Sequence, residues 1–188
     1  ILFVIDNLTK GGAEMLLVGM LDDLNNKFDI VLVTLSDECY FDEKLFADIT
    51  RYSLGVKNKL SYPGAIYKLK KIINRHKPTL VHSHLVYSTI ISRMACPAHI
   101  PFIFSVHNEI GLHVFSKSPI LSILEKITIR KRHTLVAVSN AVLNDYLAAT
   151  NFSGSNVILE NYIGDNFYEN NTNFHAFEPG GKLKLIAL

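Results

Sequence analysis

Short β-branched runs alternate with stretches of helical apolar spacing along most of this 188-residue chain, and that alternation restricts the fold more than any other feature. Extended runs are expected at Ile1–Ile5, Phe28–Leu35, Ile49–Leu54, Thr79–His82, Pro101–Val106, Thr134–Val138 and Val157–Leu159. Helices are expected between them over Ala13–Leu24, Ala65–Arg75, Tyr87–Cys96, Pro119–Arg130 and Ala141–Ala149. The first shows apolar spacing at Met15, Leu16, Met20 and Leu24, and the second turns Ile66, Leu69, Ile72 and Ile73 inward. A strand, a helix and a further strand return the chain to the same end of the sheet, so repeated units build a parallel sheet with helices on both faces. The expected fold class is therefore α/β, a doubly wound parallel sheet of the Rossmann-like kind.

The composition agrees with a globular protein: 48% of residues are hydrophobic and 19% charged. No apolar run approaches the roughly 18 residues of a membrane span. The apolar start is too short for a signal peptide and has no basic region before it. The chain does not begin with Met, so it reads as processed or trimmed. Cys39 and Cys96 have no motif spacing and read as free thiols of a reducing, cytoplasmic compartment. From Asn161 to Gly181 the sequence turns polar and Asn-rich, with Gly164, Pro179, Gly180 and Gly181, which is linker composition. Lys182–Leu188 then reads as a new strand without a helix to cover it. The expected organisation is a domain over 1–165, a linker over 166–181 and, over 182–188, the first strand of a second α/β domain that has been cut off.

In a doubly wound sheet the carboxyl ends of the strands line one cleft. Four polar turns fall there: Lys10-Gly11-Gly12, His82-Ser83-His84, His107-Asn108-Glu109 and Ser139-Asn140. Their convergence says more than any one of them. The paired glycines let a ligand approach bare backbone, and the helix behind them offers free N–H groups to an anion. They also suit a tight turn that binds nothing. His82 and His84, two apart on a strand, point the same way and resemble a metal pair, yet further ligands are missing nearby. One such histidine is more often structural. His107 stands in a short polar turn near the carboxylate Glu109 and is suited to donate a hydrogen bond, accept a proton or orient a hydroxyl. Ser139 fits a helix N-cap, a role that also turns N–H groups toward the cleft. Glu14 suits the first turn of its helix through the helix dipole.

Several chemistries lack their motifs. The chain has no G-x-S-x-G elbow, no G-x-x-x-x-G-K-[ST] phosphate loop and no G-x-G-x-x-G in its first turn. Between Val56 and Lys77 there are Lys57, Lys59, Lys68, Lys70, Lys71, Arg75 and Lys77 and no acid. Lys68, Lys71 and Arg75 share one helical face, which is either solvated or a contact for an anionic membrane surface. A second cluster is Lys126, Arg130, Lys131 and Arg132. Nucleic acid is not expected, because aromatic interleaving and a binding motif are both missing.

The ordered set of turns resembles glycosyltransferase family 4, whose members have the two-domain GT-B fold. Gly11-Gly12-Ala13-Glu14 resembles the family's "GGAE" element, and Thr79–His84 its "D-hydrophobic-V-H-x-H" strand end. Phe104–Asn108 resembles "T-x-H-D", Leu135–Asn140 resembles "V-x-VS", and Val157–Asp165 resembles "VIPNGVD". Asn108 stands where Asp is common, and Glu160 and Tyr162 replace the Pro and Gly of the last element. The resemblance implies the N-terminal, acceptor-side half of a GT-B enzyme. It implies His107 as the catalytic residue beside the transferred sugar, with Lys10, Gly11, Gly12, His84, Asn108, Glu109, Ser139 and Asn140 binding substrate. It further implies a nucleotide-diphosphate sugar as substrate rather than cofactor, and a glycan or lipid-linked acceptor. Transfer would proceed with retention, without a metal, in cell-surface polysaccharide synthesis, on the cytoplasmic side and peripheral to the membrane there. This piece alone is then expected to be inactive, because the donor-side half and its E-x7-E element are absent. The other readings are a non-catalytic α/β ligand-binding domain and a GT-B-like sugar-nucleotide epimerase.

Overall fold

A computed structural model describes residues 1–161 of the chain. The expected linker over 166–181 and the strand over 182–188 lie outside the described residues. The strands are β1 (Leu2–Ile5), β2 (Val31–Thr34), β3 (Thr50–Ser53), β4 (Val81–His84), β5 (Phe102–Val106), β6 (Thr134–Ala137) and β7 (Ser155–Ile158). They form one seven-stranded sheet in the order β3-β2-β1-β4-β5-β6-β7. Every pairing is parallel. The expected doubly wound α/β architecture is what the chain adopts. The winding reverses between β1 and β4, which makes their carboxyl ends the topological switch point.

The helices are α1 (Gly12–Asn25), α2 (Tyr62–His76), α3 (Val86–Ala95), α4 (Pro119–Thr128) and α5 (Asn140–Thr150). Phe3, Ile5 and Leu32 pack with Leu17 and Leu21 of α1 on one face of the sheet. The opposite face joins Leu2, Val4, Phe104 and Leu135 to Leu69 and Ile73 of α2, Ile90 and Ile91 of α3, Leu121 of α4 and Tyr146 of α5. This split follows from the pleat, which sends successive side chains to opposite faces.

Two local expectations change. The spacing at Met15, Leu16, Met20 and Leu24 does not mark the buried side of α1. That side carries Ala13, Glu14, Leu17 and Leu21, and Met15 is exposed. The whole helix is apolar enough that the pattern did not single out one stripe. The fourth strand also runs two residues later than Thr79–His82. Lys77 ends α2 in the left-handed conformation, and pairing starts only where Val81 meets Leu2 and Phe102. The neighbouring strands thus set the register, and His84 becomes a strand residue instead of a turn residue.

Candidate active site

The β1–α1 turn, the end of β4, the β5 turn and the start of α5 lie along one edge of the sheet, at the carboxyl ends of adjacent strands. Gly11 and Gly12 open α1. Gly11 has φ −126° and ψ 159°, ordinary extended backbone, and Gly12 has no positive φ. A tight turn therefore does not require either glycine. A Cβ on Gly11 would stand 2.1 Å from Oε2 of Glu14, because the Glu14 side chain folds back over that residue. A Cβ on Gly12 would meet nothing within 4 Å. Gly12 is thus bare for no internal steric reason, although glycine weakens a helix. Glu14 is buried, with Oε1 at 3.4 Å from the Thr9 hydroxyl, so it closes the turn in addition to any help it gives the dipole. Lys10 stretches the other way, with Nζ 3.9 Å from the centre of the Tyr40 ring.

The histidines form one connected group. His82 and His84 share a face of β4, with ring centres 4.3 Å apart. His82 Nε2 is 2.8 Å from the Ser105 hydroxyl, and His84 Nδ1 is 3.1 Å from His107 Nε2. His84 is only 3% exposed, so it lies beneath His107 rather than at the open edge. His84 Nε2 and His107 Nδ1 have no hydrogen-bond partner. When His84 donates from Nδ1, His107 carries its own proton on that unpartnered Nδ1. Among the described residues no group of three His, Cys, Asp or Glu is placed to hold a metal ion. Glu109 does not support His107 as its spacing suggested. Its carboxylate turns to His113, at 3.9 Å, and the side chain that meets His107 is His84, from the next strand.

Burial pushes the His82 ring down to about 3 and the His107 ring down to about 4. Burial also holds His84 well below the usual imidazole value. The three are therefore neutral near pH 7, and His107 acts there as a hydrogen-bonding imidazole, not as a cation. Each regains an ordinary value of about 6.5 on unfolding. The unfolded chain then binds more protons below that value, so this stability is complete above about pH 6.5 and is lost as pH falls. His82 and His107 together should cost about 3 kcal/mol at about pH 5.5. Thermal melts at neutral and acid pH check this, and coincident melts would contradict the buried neutral cluster.

Sequence reasoning passed over Asp6, the first polar residue after β1. Its Oδ1 accepts a hydrogen bond from the Ser88 backbone N–H at 2.7 Å, so the carboxylate caps the N-terminus of α3. Burial raises its pKa, and the hydrogen bonds from Ser88 oppose that rise. Asp6 lines a cavity of about 230 Å³ with His107, Asn108, Tyr87, Phe104 and Glu125 among its other walls. The signal was its place at a strand end, but only folding shows that it faces α3.

The remaining candidates divide. Asn108 is exposed and lines the cavity. The Ser139 hydroxyl accepts from the Val142 N–H at 3.2 Å, the N-cap its sequence context indicated, and Asn140 is the exposed first residue of α5. On α2, Lys68 is exposed and its Nζ donates to the Leu54 carbonyl at 2.8 Å. Lys71 lies 4.5 Å from the centre of the Tyr67 ring, and Arg75 is exposed.

Known structures share this arrangement. Anabaena Alr3699/HepE in complex with UDP matches with a TM-score of 0.68 and 16% identity, over 89% of this chain and 45% of that one. The lipopolysaccharide outer core galactosyltransferase WaaB, in its apo form, matches with a TM-score of 0.65 and 12% identity, over 86% and 45%. UDP-N-acetylglucosamine 2-epimerase from Rickettsia bellii matches at 0.57 and 15% identity, over 81% and 42%. At these identities the likeness establishes the fold, and the chain spans less than half the length of each of these structures. No curated protein matches the sequence. Residues 10–159 match Glycosyltransferase Family 4, a region that contains all four polar turns. The chain belongs to glycosyltransferase family 4 and has the Rossmann-like fold of the N-terminal half of a GT-B enzyme.

Proposed function

We propose that this domain forms the acceptor side of an enzyme that transfers a sugar from a nucleotide-diphosphate sugar to a glycan or lipid-linked acceptor. The proposed reaction is a hexosyl transfer with retention and without a metal, in cell-surface polysaccharide synthesis on the cytoplasmic side of the membrane. The observation that carries this reading is the gathering of Gly12, His107 and Ser139 along the carboxyl edge of the sheet, within a family match that spans them. Gly12 and the N-terminus of α1 face the donor diphosphate with bare backbone and unpaired N–H groups. His107, neutral and held by His84, donates a hydrogen bond to the transferred sugar. Lys10, Gly11, Asn108, Glu109, Ser139 and Asn140 border the same edge, and His84 acts through His107. The enzyme works by positioning the two substrates and stabilising the departing diphosphate. UDP and UDP-glucose are bound by the HepE structures, which supports a nucleotide sugar as the donor class.

The test incubates the full-length protein with a panel of UDP- and GDP-activated sugars, with and without membrane extract, and measures nucleotide diphosphate release. Release from one donor that depends on extract supports transfer. No release from any donor by a folded protein favours the ligand-binding domain, and conversion of the donor to its epimer favours the epimerase. The 188-residue chain alone should release nothing.

Replacing Gly12 with alanine separates folding from binding. Alanine should raise stability by up to about 1 kcal/mol, since the helix gains and nothing obstructs the methyl group. It should weaken nucleotide-sugar binding about tenfold, because the methyl group blocks the close approach of the diphosphate. Calorimetric titration and a thermal melt of the same variant read both effects, and unchanged affinity would remove Gly12 from the site.

A further inference from the structure

The loop between β2 and β3 borders a polar cavity of about 410 Å³ that the transferase reading does not use. Thr34 and Ser53 pair at the carboxyl ends of these strands, and Arg51, two residues before Ser53, shares their face of the sheet. The loop supplies the facing wall, with Asp37, Glu38 and Glu43. It is held at both ends. Backbone hydrogen bonds tie Glu38 and Tyr40 to Leu8, and Phe46 and Ile49 are buried with Leu17 and Leu21 of α1. Thr34 is only 7% exposed and lines the cavity, yet among the described residues its hydroxyl has no hydrogen-bond partner. A hydroxyl withdrawn from water costs free energy until something bonds it. Arg51 lies over the Phe46 ring and donates to Glu43 at 2.6 Å from Nη1, which leaves further N–H donors unmatched among the described residues. Asp37 and Glu38 are exposed, and neither forms an ion pair among the described residues.

We propose that this cavity binds one neutral sugar ring, whose hydroxyls donate to Asp37 and Glu38 and accept from Thr34 and Arg51. A sugar hydroxyl both donates and accepts, so it satisfies both kinds of group on the walls. An ammonium group would face the Arg51 guanidinium and leave the donors unmet, and a phosphate would face the carboxylates. The volume is that of an ordinary small-molecule site. The cavity and His107 lie at the same edge of the sheet, but β2 is three strands from β5, which is about 14 Å at about 4.8 Å per strand. The bound ring is therefore separate from the sugar that His107 would meet. An acceptor glycan of several rings would span that distance, and this assignment alone rests on the transferase reading.

The test titrates the full-length protein with glucose, galactose, mannose and N-acetylglucosamine, read by saturation-transfer NMR. At least one of the four should bind. Thr34→Val keeps the shape of the side chain and its β-branching, and should weaken that sugar about fivefold. Asp37→Asn with Glu38→Gln should weaken it at least about tenfold. Asp22→Asn, on the exposed side of α1, should bind as the parent does. No binding of any of the four overturns the proposal. So does a sugar that binds the Thr34 and the Asp37, Glu38 variants as tightly as the parent, because it then sits elsewhere. Ethylammonium chloride that displaces the sugar and loses affinity in the Asp37, Glu38 variant overturns it as well, since the cavity would then hold an amine. Nucleotide-sugar binding is titrated in parallel and should be unchanged in Thr34→Val. Its absence in the parent would count against the transferase reading and leave the sugar result intact.

Discussion

Replacing Glu125 with leucine should lower the stability of the domain by about 3–5 kcal/mol, because it leaves the Arg93 guanidinium buried without its counter-charge. The Arg93 and Glu125 side chains are 0% and 2% exposed. Glu125 Oε1 accepts from Arg93 at 2.6 Å and also from the Tyr146 hydroxyl, while Arg93 donates to Tyr146 at 3.3 Å. The guanidinium carbon lies 4.2 Å from the centre of the Phe104 ring, so the group is packed between a carboxylate, a phenol and an aromatic face. This assembly joins α3, α4, α5 and β5 under the floor of the cavity. Total stabilities of domains are only about 5–15 kcal/mol, so the loss would be a large share. Urea denaturation reads it directly. The double variant Arg93→Met, Glu125→Leu should recover most of the loss, because two well-packed apolar groups replace a pair whose desolvation cost nearly cancels its attraction. If Glu125→Leu unfolds at the same urea concentration as the parent, the buried pair does not hold these helices together.

Replacing His107 with alanine in the full-length protein should reduce kcat/KM for sugar transfer by about 10²–10³-fold, the cost of losing one aligned donor in a water-poor site. The loss should appear mainly in kcat if the hydrogen bond strengthens as the sugar departs, and mainly in KM if it only holds the ground state. The fold should tolerate the change. His107 is partly exposed, and the chief structural cost is the unpaired Nδ1 of His84, about 1–3 kcal/mol. His84→Phe isolates the supporting role: it removes the partner of His107 without removing His107 itself, and should shift the pH profile of the reaction. A His107→Ala enzyme within about threefold of the parent would exclude the residue from the transition state.

The candidate site was only partly legible before folding. Each of the four turns follows an apolar run, and that local pattern sufficed to place Gly12, His107 and Ser139 at strand ends. The partners of those residues are not local. His107 was paired with Glu109 on spacing, but its neighbour is His84, 23 residues earlier, because β4 and β5 lie side by side. Asp6 looked like the end of a strand, yet its carboxylate meets Ser88, 82 residues away. The basic face of α2 looked continuous until Lys68 turned onto the Leu54 carbonyl.

Sequence by itself determined the parallel α/β class, the order of its strands and α-helices over 1–161, and the family, because apolar period, helix breakers and turn residues are local properties of a chain; the short helical turns at Glu43–Phe46, Lys59–Ser61 and Gly111–Phe115 were not legible in it. Tertiary structure alone decided the register of β4, which face of α1 is buried, the histidine group and the Arg93–Glu125–Tyr146 assembly. The physical reason is the same in each case. Hydrogen-bond register and burial of charge depend on what a neighbouring strand or helix offers, and that neighbour stands tens of residues away along the chain.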